Sequence, residues 1–98
     1  MVNEIRDNII EAFHMKEFSI TLDSNPTTGY SWVPLFDNNF LELKERSIKM
    51  NTEKFGSSSK EMFKFKPIKC GTTTLTMIYK RVWEENGIKK VNFEIKIK

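Results

Sequence analysis

From Phe18 onward the chain reads as short runs in which apolar and polar residues alternate, separated by turn-forming residues. Phe18, Ile20 and Leu22 alternate with Ser19, Thr21 and Asp23, the pattern of a half-buried strand. Trp32 to Phe36 begins a return strand, Asp37-Asn38-Asn39 is a polar turn, and Phe40 to Lys44 is a further strand-like run. Ile48 and Met50 alternate with Lys49 and Asn51 ahead of a polar loop around Gly56. Phe63 and Phe65 alternate with Lys64 and Lys66 until Pro67 ends the run at a strand edge. Gly71 opens the longest run, with Thr73, Leu75, Met77 and Tyr79 on one face and Thr72, Thr74, Thr76 and Ile78 on the other. Asn86-Gly87 signals a two-residue hairpin, after which Val91, Phe93, Ile95 and Ile97 alternate with Asn92, Glu94, Lys96 and Lys98. Residues Ile5 to Phe13 fit two patterns: Ile5, Ile9 and Phe13 recur every four residues as in a helix, yet the stretch also suits an edge strand. The strand is the better match to the rest. Six to eight short strands with turns about every ten residues predict an all-β, antiparallel β-sandwich.

At 98 residues the chain is expected to form one domain over its whole length, 1–98. A hydrophobic fraction of 39% with eight phenylalanines supports a real core, though a small one. The net charge of +3 is mild, and Lys and Arg are interleaved with Asp and Glu, so a nucleic-acid footprint is not expected. Lys89-Lys90 and Lys96 to Lys98 read as lysines that guard an edge strand against aggregation. Cys70 is the only cysteine and His14 the only histidine, which leaves neither a disulfide framework nor a zinc ligand set, and no cofactor is expected. Cys70, beside Gly71, reads as a small half-buried thiol. No run is long and apolar enough to span a membrane. Glu4, Asp7 and Glu11 exclude a secretory leader within Met1–Phe13, so the expected setting is cytoplasmic, or that of the mature form of an exported protein.

One stretch stands apart from this regular patterning: Asn25-Pro26-Thr27-Thr28-Gly29-Tyr30-Ser31-Trp32. Pro26 fixes its own φ and pushes Asn25 toward an extended conformation. Gly29 accepts a positive φ, and Thr27 and Thr28 are stiff at χ1. A loop restricted in this way loses little entropy on docking. Tyr30 and Trp32 then project to one side of the strand that follows, where Trp32 suits a central core position as well as a contact.

The stretch resembles the first signature loop of the chagasin-like inhibitors of papain-family cysteine proteases, which reads Asn-Pro-Thr-Thr-Gly-(Tyr/Phe)-x-Trp. A second segment, Tyr79-Lys80-Arg81-Val82-Trp83, is similar to that family's Tyr-x-Arg-Pro-Trp loop, with Val82 in place of the proline. The substitution frees a φ angle and restores an N–H, leaving this loop less preorganised. The family's remaining loop is glycine-rich and precedes a strand of alternating aromatics. Gly56-Ser57-Ser58-Ser59 stands in that position with a single glycine. The resemblance implies an immunoglobulin-like sandwich whose three loops, at one end, enter the active-site cleft of a papain-like or cathepsin L-like protease. It implies no enzymatic activity of the chain's own, and a monomer. By the same resemblance Asn25, Pro26, Thr27, Thr28, Gly29 and Tyr30 lie over the catalytic residues, with Thr27 and Thr28 closest. Gly56, Ser57, Ser58 and Ser59 line one side of the cleft, and Arg81, Val82 and Trp83 the other.

Two other classes fit the residues. An adhesion or assembly module of immunoglobulin type could carry the same loops without inhibiting anything. An enzyme built on Cys70 and His14 would need an activating environment that the neighbouring sequence lacks.

Overall fold

The computed structural model describes residues 8–25, 28–49 and 59–98. Within them lie seven strands: β1 (Ile9–Ala12), β2 (Phe18–Ser24), β3 (Tyr30–Leu35), β4 (Leu41–Lys49), β5 (Ser59–Pro67), β6 (Gly71–Arg81) and β7 (Lys89–Ile97). They form two sheets, one of four strands in the order β1-β7-β6-β3 and one of three in the order β2-β5-β4. Among the described residues no α-helix forms.

The period-two patterning decides which faces meet. Leu75, Met77 and Tyr79 of β6, Ile95 and Ile97 of β7, and Trp32 of β3 point from the larger sheet into the core. Ile20, Leu41, Phe63 and Phe65 answer from the smaller one. Burying such side chains stabilises the fold by about 1.5–3 kcal/mol each, before chain entropy is counted. Trp32 is 4% exposed, so it takes the central core position.

The expected strand within Ile5–Phe13 is present over Ile9–Ala12; residues 1–7 lie outside the described residues. It runs parallel to β7, which makes the larger sheet mixed rather than purely antiparallel. That pairing also corrects the reading of the lysines. β1 covers only Glu94–Ile97 of β7, so Lys96 lies in a paired stretch and guards no edge, whereas β1 does not reach Lys89 and Lys90. Lys90 and Lys96 lie on the outward face, while Lys89 shares the inward phase of Val91 and sits 5.9 Å from the Tyr79 ring centroid.

Four further expectations change. Leu41–Lys44 and Ile48 belong to one strand, β4, with Phe40 in the turn before it, and the pairing of β4 with β5 shifts register between Leu43 and Glu45. That irregularity moves the core-facing phase from odd to even positions, so Leu43 lies opposite Phe65 and Ile48 opposite Glu61, and both stay partly exposed on this edge strand. Pro67 ends β5, but β5 is the middle strand of its sheet; a terminal position is where a missing N–H costs no interior ladder bond. Asn86-Gly87 forms no two-residue hairpin, because β6 ends at Arg81 and β7 begins at Lys89. Gly87 is needed for closeness instead: a Cβ there would lie 2.5 Å from both Ile78 Cγ2 and the Tyr79 carbonyl oxygen. Cys70 is exposed rather than half-buried, since it follows the end of β5 in a short surface connection.

Candidate functional site

Register brings two of the three sequence-defined loops together. Tyr30 pairs with Arg81 across β3 and β6, so the turn that precedes Tyr30 and the loop that follows Arg81 leave the sheet side by side. Gly29 has a φ of 85°, the left-handed region that favours glycine, and a Cβ there would sit 3.9 Å from Trp83 Cη2 and 4.0 Å from Arg81 Cγ. The strands that flank the third loop meet at the same end. They pair as Lys49 with Lys60, and Ser59 lies opposite Ser24, the residue before Asn25.

The Asn25 loop is closed from within and anchored from below. Thr28 donates twice to the Asn25 carbonyl, from its N–H at 3.1 Å and from Oγ1 at 2.7 Å. The Asn25 N–H donates to Tyr79 Oη at 2.9 Å, a phenol otherwise sunk in the core. Tyr79 in turn stacks on Tyr30 at 5.3 Å between centroids and meets Trp32 at 4.8 Å. Trp32 Nε1 donates to the Asp23 carbonyl at 2.8 Å. These contacts run from the two-sheet core straight into both stems of the loop.

A buried carboxylate completes the base. Glu61 of β5 is fully enclosed and accepts from Ser24 Oγ at 2.6 Å, from the Trp32 N–H at 3.4 Å, and from Arg46 Nη2 at 3.1 Å. Nothing in the motifs pointed to this residue. The signal was there, however: the β5 alternation that puts Phe63 and Phe65 inside puts Glu61 inside as well. Nearby, Asp23 is exposed and its carboxyl is held below the ordinary carboxylate range, chiefly by the hydrogen bond from Lys60 Nζ at 2.7 Å and the charge of that ammonium.

The β6–β7 loop has a different build. The Glu84 N–H donates to the Arg81 carbonyl at 3.1 Å, a turn that places Val82 and Trp83 at its two corner positions. Both project outward, Val82 84% and Trp83 73% exposed. The Arg81 guanidinium lies 4.5 Å from the Tyr30 ring centroid and 5.7 Å from that of Trp83. It therefore bridges the central loop and the projecting indole. Lys80 Nζ donates to the Glu84 carbonyl at 2.6 Å and Ile88 N–H to Tyr79 O at 2.9 Å, which pin the return of this loop to β6.

Of the residues singled out in the sequence, Asn25, Thr28, Gly29, Tyr30, Arg81, Val82 and Trp83 gather at this end of the fold. Pro26, Thr27, Gly56, Ser57 and Ser58 lie outside the described residues. Ser59 belongs to β5 rather than to a loop, and at 4% exposure its side chain is not offered to a partner. His14 and Cys70 sit in the connections at the opposite end. Among the described residues no helix is long and apolar enough to cross a membrane.

The sequence profile of the chagasin family (Chagasin family peptidase inhibitor I42) matches residues 14–97, most of the chain. The chain belongs to the chagasin family of peptidase inhibitors. That is a family of inhibitors and not of enzymes. Amoebiasin-2 of Entamoeba histolytica is 35% identical over 69 residues, which take in 67% of this chain and 56% of that protein. The chain thus matches little more than half the length of that curated relative. The crystal structure of the cysteine protease inhibitor EhICP2 from Entamoeba histolytica aligns with a TM-score of 0.82 and 26% identity, over 92% of this chain and 86% of that one. The solution structure of amebosin aligns with a TM-score of 0.74 over 95% of this chain and 93% of that one; at 24% identity it speaks for the fold alone. The two-sheet, all-β architecture derived from the alternation is the chagasin-like fold.

Proposed function

We propose that this chain is a tight-binding, reversible inhibitor of papain-family cysteine proteases, of the papain or cathepsin L type, and that it acts as a monomer. The observation that carries the reading is the convergence of two motif loops on one end of a chagasin-family fold, with Gly29 against Trp83. A papain-type active site is a cleft, and a wedge of adjoining loops is the shape that fills one.

Inhibition is by occlusion. The loop from Asn25 to Tyr30, with Thr27 and Thr28 at its tip, covers the catalytic cysteine and histidine. Arg81, Val82 and Trp83 lie along one wall, and Gly56 to Ser59 along the other; the buried position of Ser59 assigns it to supporting that loop rather than touching the protease. Because the Asn25 loop is tied back on itself, it presents no peptide carbonyl in attack geometry to the thiolate, and no acyl-enzyme forms. Trp and Arg are the residue types that most often dominate interfaces, and Trp83 enters binding with Arg81 already beside it. The contact is expected to bury about 1,600 Å² in total. The inhibitor contributes no chemistry of its own.

The test is a steady-state inhibition titration against papain and a cathepsin L-type protease, followed by gel analysis of the mixture. Tight inhibition with an intact inhibitor is expected. Absence of inhibition of both enzymes would overturn the reading and favour an adhesion or assembly module carrying the same loops.

A further inference from the structure

Glu61 has no part in the occlusion scheme, yet among the described residues it is the charged side chain that lies wholly inside the fold. A buried carboxylate is strongly unfavourable unless its oxygens are paired, so its partners show what it is there to hold. Two of them are the stems of the central loop. Ser24 immediately precedes Asn25, and Trp32 lies just beyond Tyr30; Glu61 Oε2 accepts from Ser24 Oγ at 2.6 Å and lies 3.4 Å from the Trp32 nitrogen. The Trp32 contact crosses between sheets. β3 is an edge strand of the larger sheet, paired only with β6, and the Trp32 N–H is satisfied by a side chain of the smaller one. The third partner, Arg46 of β4, supplies the compensating charge from the rim at 3.1 Å, with its guanidinium 5.5 Å from the Phe63 ring centroid.

We infer that Glu61 is a positioning residue for the central loop: it clamps both stems to one acceptor, so that the loop keeps its closed shape inside a protease cleft and resists cleavage there. A substrate must let its chain open into the attack geometry. Stems tied to a single buried oxygen cannot separate to do so. Buried ion pairs contribute little to net stability compared with apolar packing, and their better-attested use is to fix one arrangement over others. Glu61 is placed for that use, one layer beneath the loop that the family motif defines. The affinity and cleavage consequences rest on the proposed inhibitor function; the consequence for loop order does not.

Three variants separate positioning from bulk stability. Ser24→Ala removes the loop-side hydrogen bond and keeps the Arg46 pair, Glu61→Gln removes the charge at constant shape, and Arg46→Gln removes the outer partner and keeps both stem contacts. The readouts are melting temperature, amide hydrogen exchange at Thr28 and Trp32, the inhibition constant against papain, and gel detection of cleavage within residues 25–32. Ser24→Ala is expected to melt within a few degrees of wild type, with faster exchange at both amides, an inhibition constant raised roughly tenfold and slow cleavage in the loop. Glu61→Gln is expected to do the same more strongly. Arg46→Gln is expected to lower the melting temperature while leaving the inhibition constant within about twofold and the loop uncut. Unchanged exchange at Thr28 and Trp32 in Ser24→Ala overturns the clamp, as does an inhibition constant that follows melting temperature alike in all three. A wild-type chain that inhibits neither papain nor a cathepsin L-type protease removes the proposed function, and the exchange measurements still decide the clamp.

Discussion

The Asn25 loop and the β6–β7 loop reach the same end of the fold by opposite means. The Asn25 loop is held from below at every stem: Ser24 and Trp32 on Glu61, the Asn25 N–H on Tyr79, Trp32 Nε1 on the Asp23 carbonyl. The β6–β7 loop turns at Arg81–Glu84 and throws Val82 and Trp83 outward with little covering them. The first is suited to keep a shape, the second to provide contact area. Rigidity limits what binding costs in entropy, and an exposed aromatic supplies what binding gains. A wedge needs both.

The largest effect should come from the projecting loop. Trp83→Ala is expected to weaken inhibition by ~2 kcal/mol or more, about thirtyfold, while changing stability by less than ~0.5 kcal/mol. Parallel inhibition titrations and thermal melts check this, and an unchanged inhibition constant would remove the β6–β7 loop from the proposed wedge.

The central loop should respond in the reverse proportion, through its backbone. At Gly29 the space around a Cβ is ordinary, so the obstacle to a side chain is the φ of 85°. Gly29→Val is expected to lose about 2 kcal/mol of stability and to weaken inhibition, and Gly29→Asn to lose less, since Asn tolerates this region better. Denaturant unfolding of the two variants decides the point: equal losses would show that bulk, not φ, is the constraint.

Rigidity can also be added to the loop that lacks it. Val82 occupies the first corner of the Arg81–Glu84 turn, where proline is favoured, and Arg81 before it is already extended in β6. Val82→Pro is expected to raise stability by about 0.5 kcal/mol and lower the inhibition constant about twofold, measured as a slower dissociation rate. A faster dissociation would show that this loop must flex to bind.

The smallest effect belongs to the rim. Lys60 depresses the Asp23 carboxyl, so the ionised form is favoured in the fold; that contribution is present above the unfolded pKa and fades as pH falls through the lowered folded value. Asp23→Asn should therefore be slightly less stable than wild type near neutrality and converge with it in acid, below about pH 4. Thermal melts across that range test the sign, and a gap that widens in acid would refute it.

How much of this was legible beforehand differs between the regions. The strand faces of β2, β5, β6 and β7 were readable because alternation alone assigns inward and outward positions. The loop contents were readable because Pro26, Gly29 and the Tyr79-to-Trp83 spacing are local chemistry. Glu61 was missed because its charge argued for the surface, although its place in the alternation argued for the core. Asn86-Gly87 misled because a dipeptide turn signal carries no information about what packs against it; Ile78 and the Tyr79 carbonyl take the space a Cβ at Gly87 would need.

The sequence by itself determined an all-β chain, its principal core faces and the residues that make up its loops, since each of these depends on neighbours one or two positions away. Only the tertiary structure decided that β1 lies parallel to β7, that Gly29 meets Trp83, and that one buried carboxylate joins Ser24, Trp32 and Arg46. Those are contacts between strands distant in the chain. They are set by how two sheets stack, which no local pattern encodes.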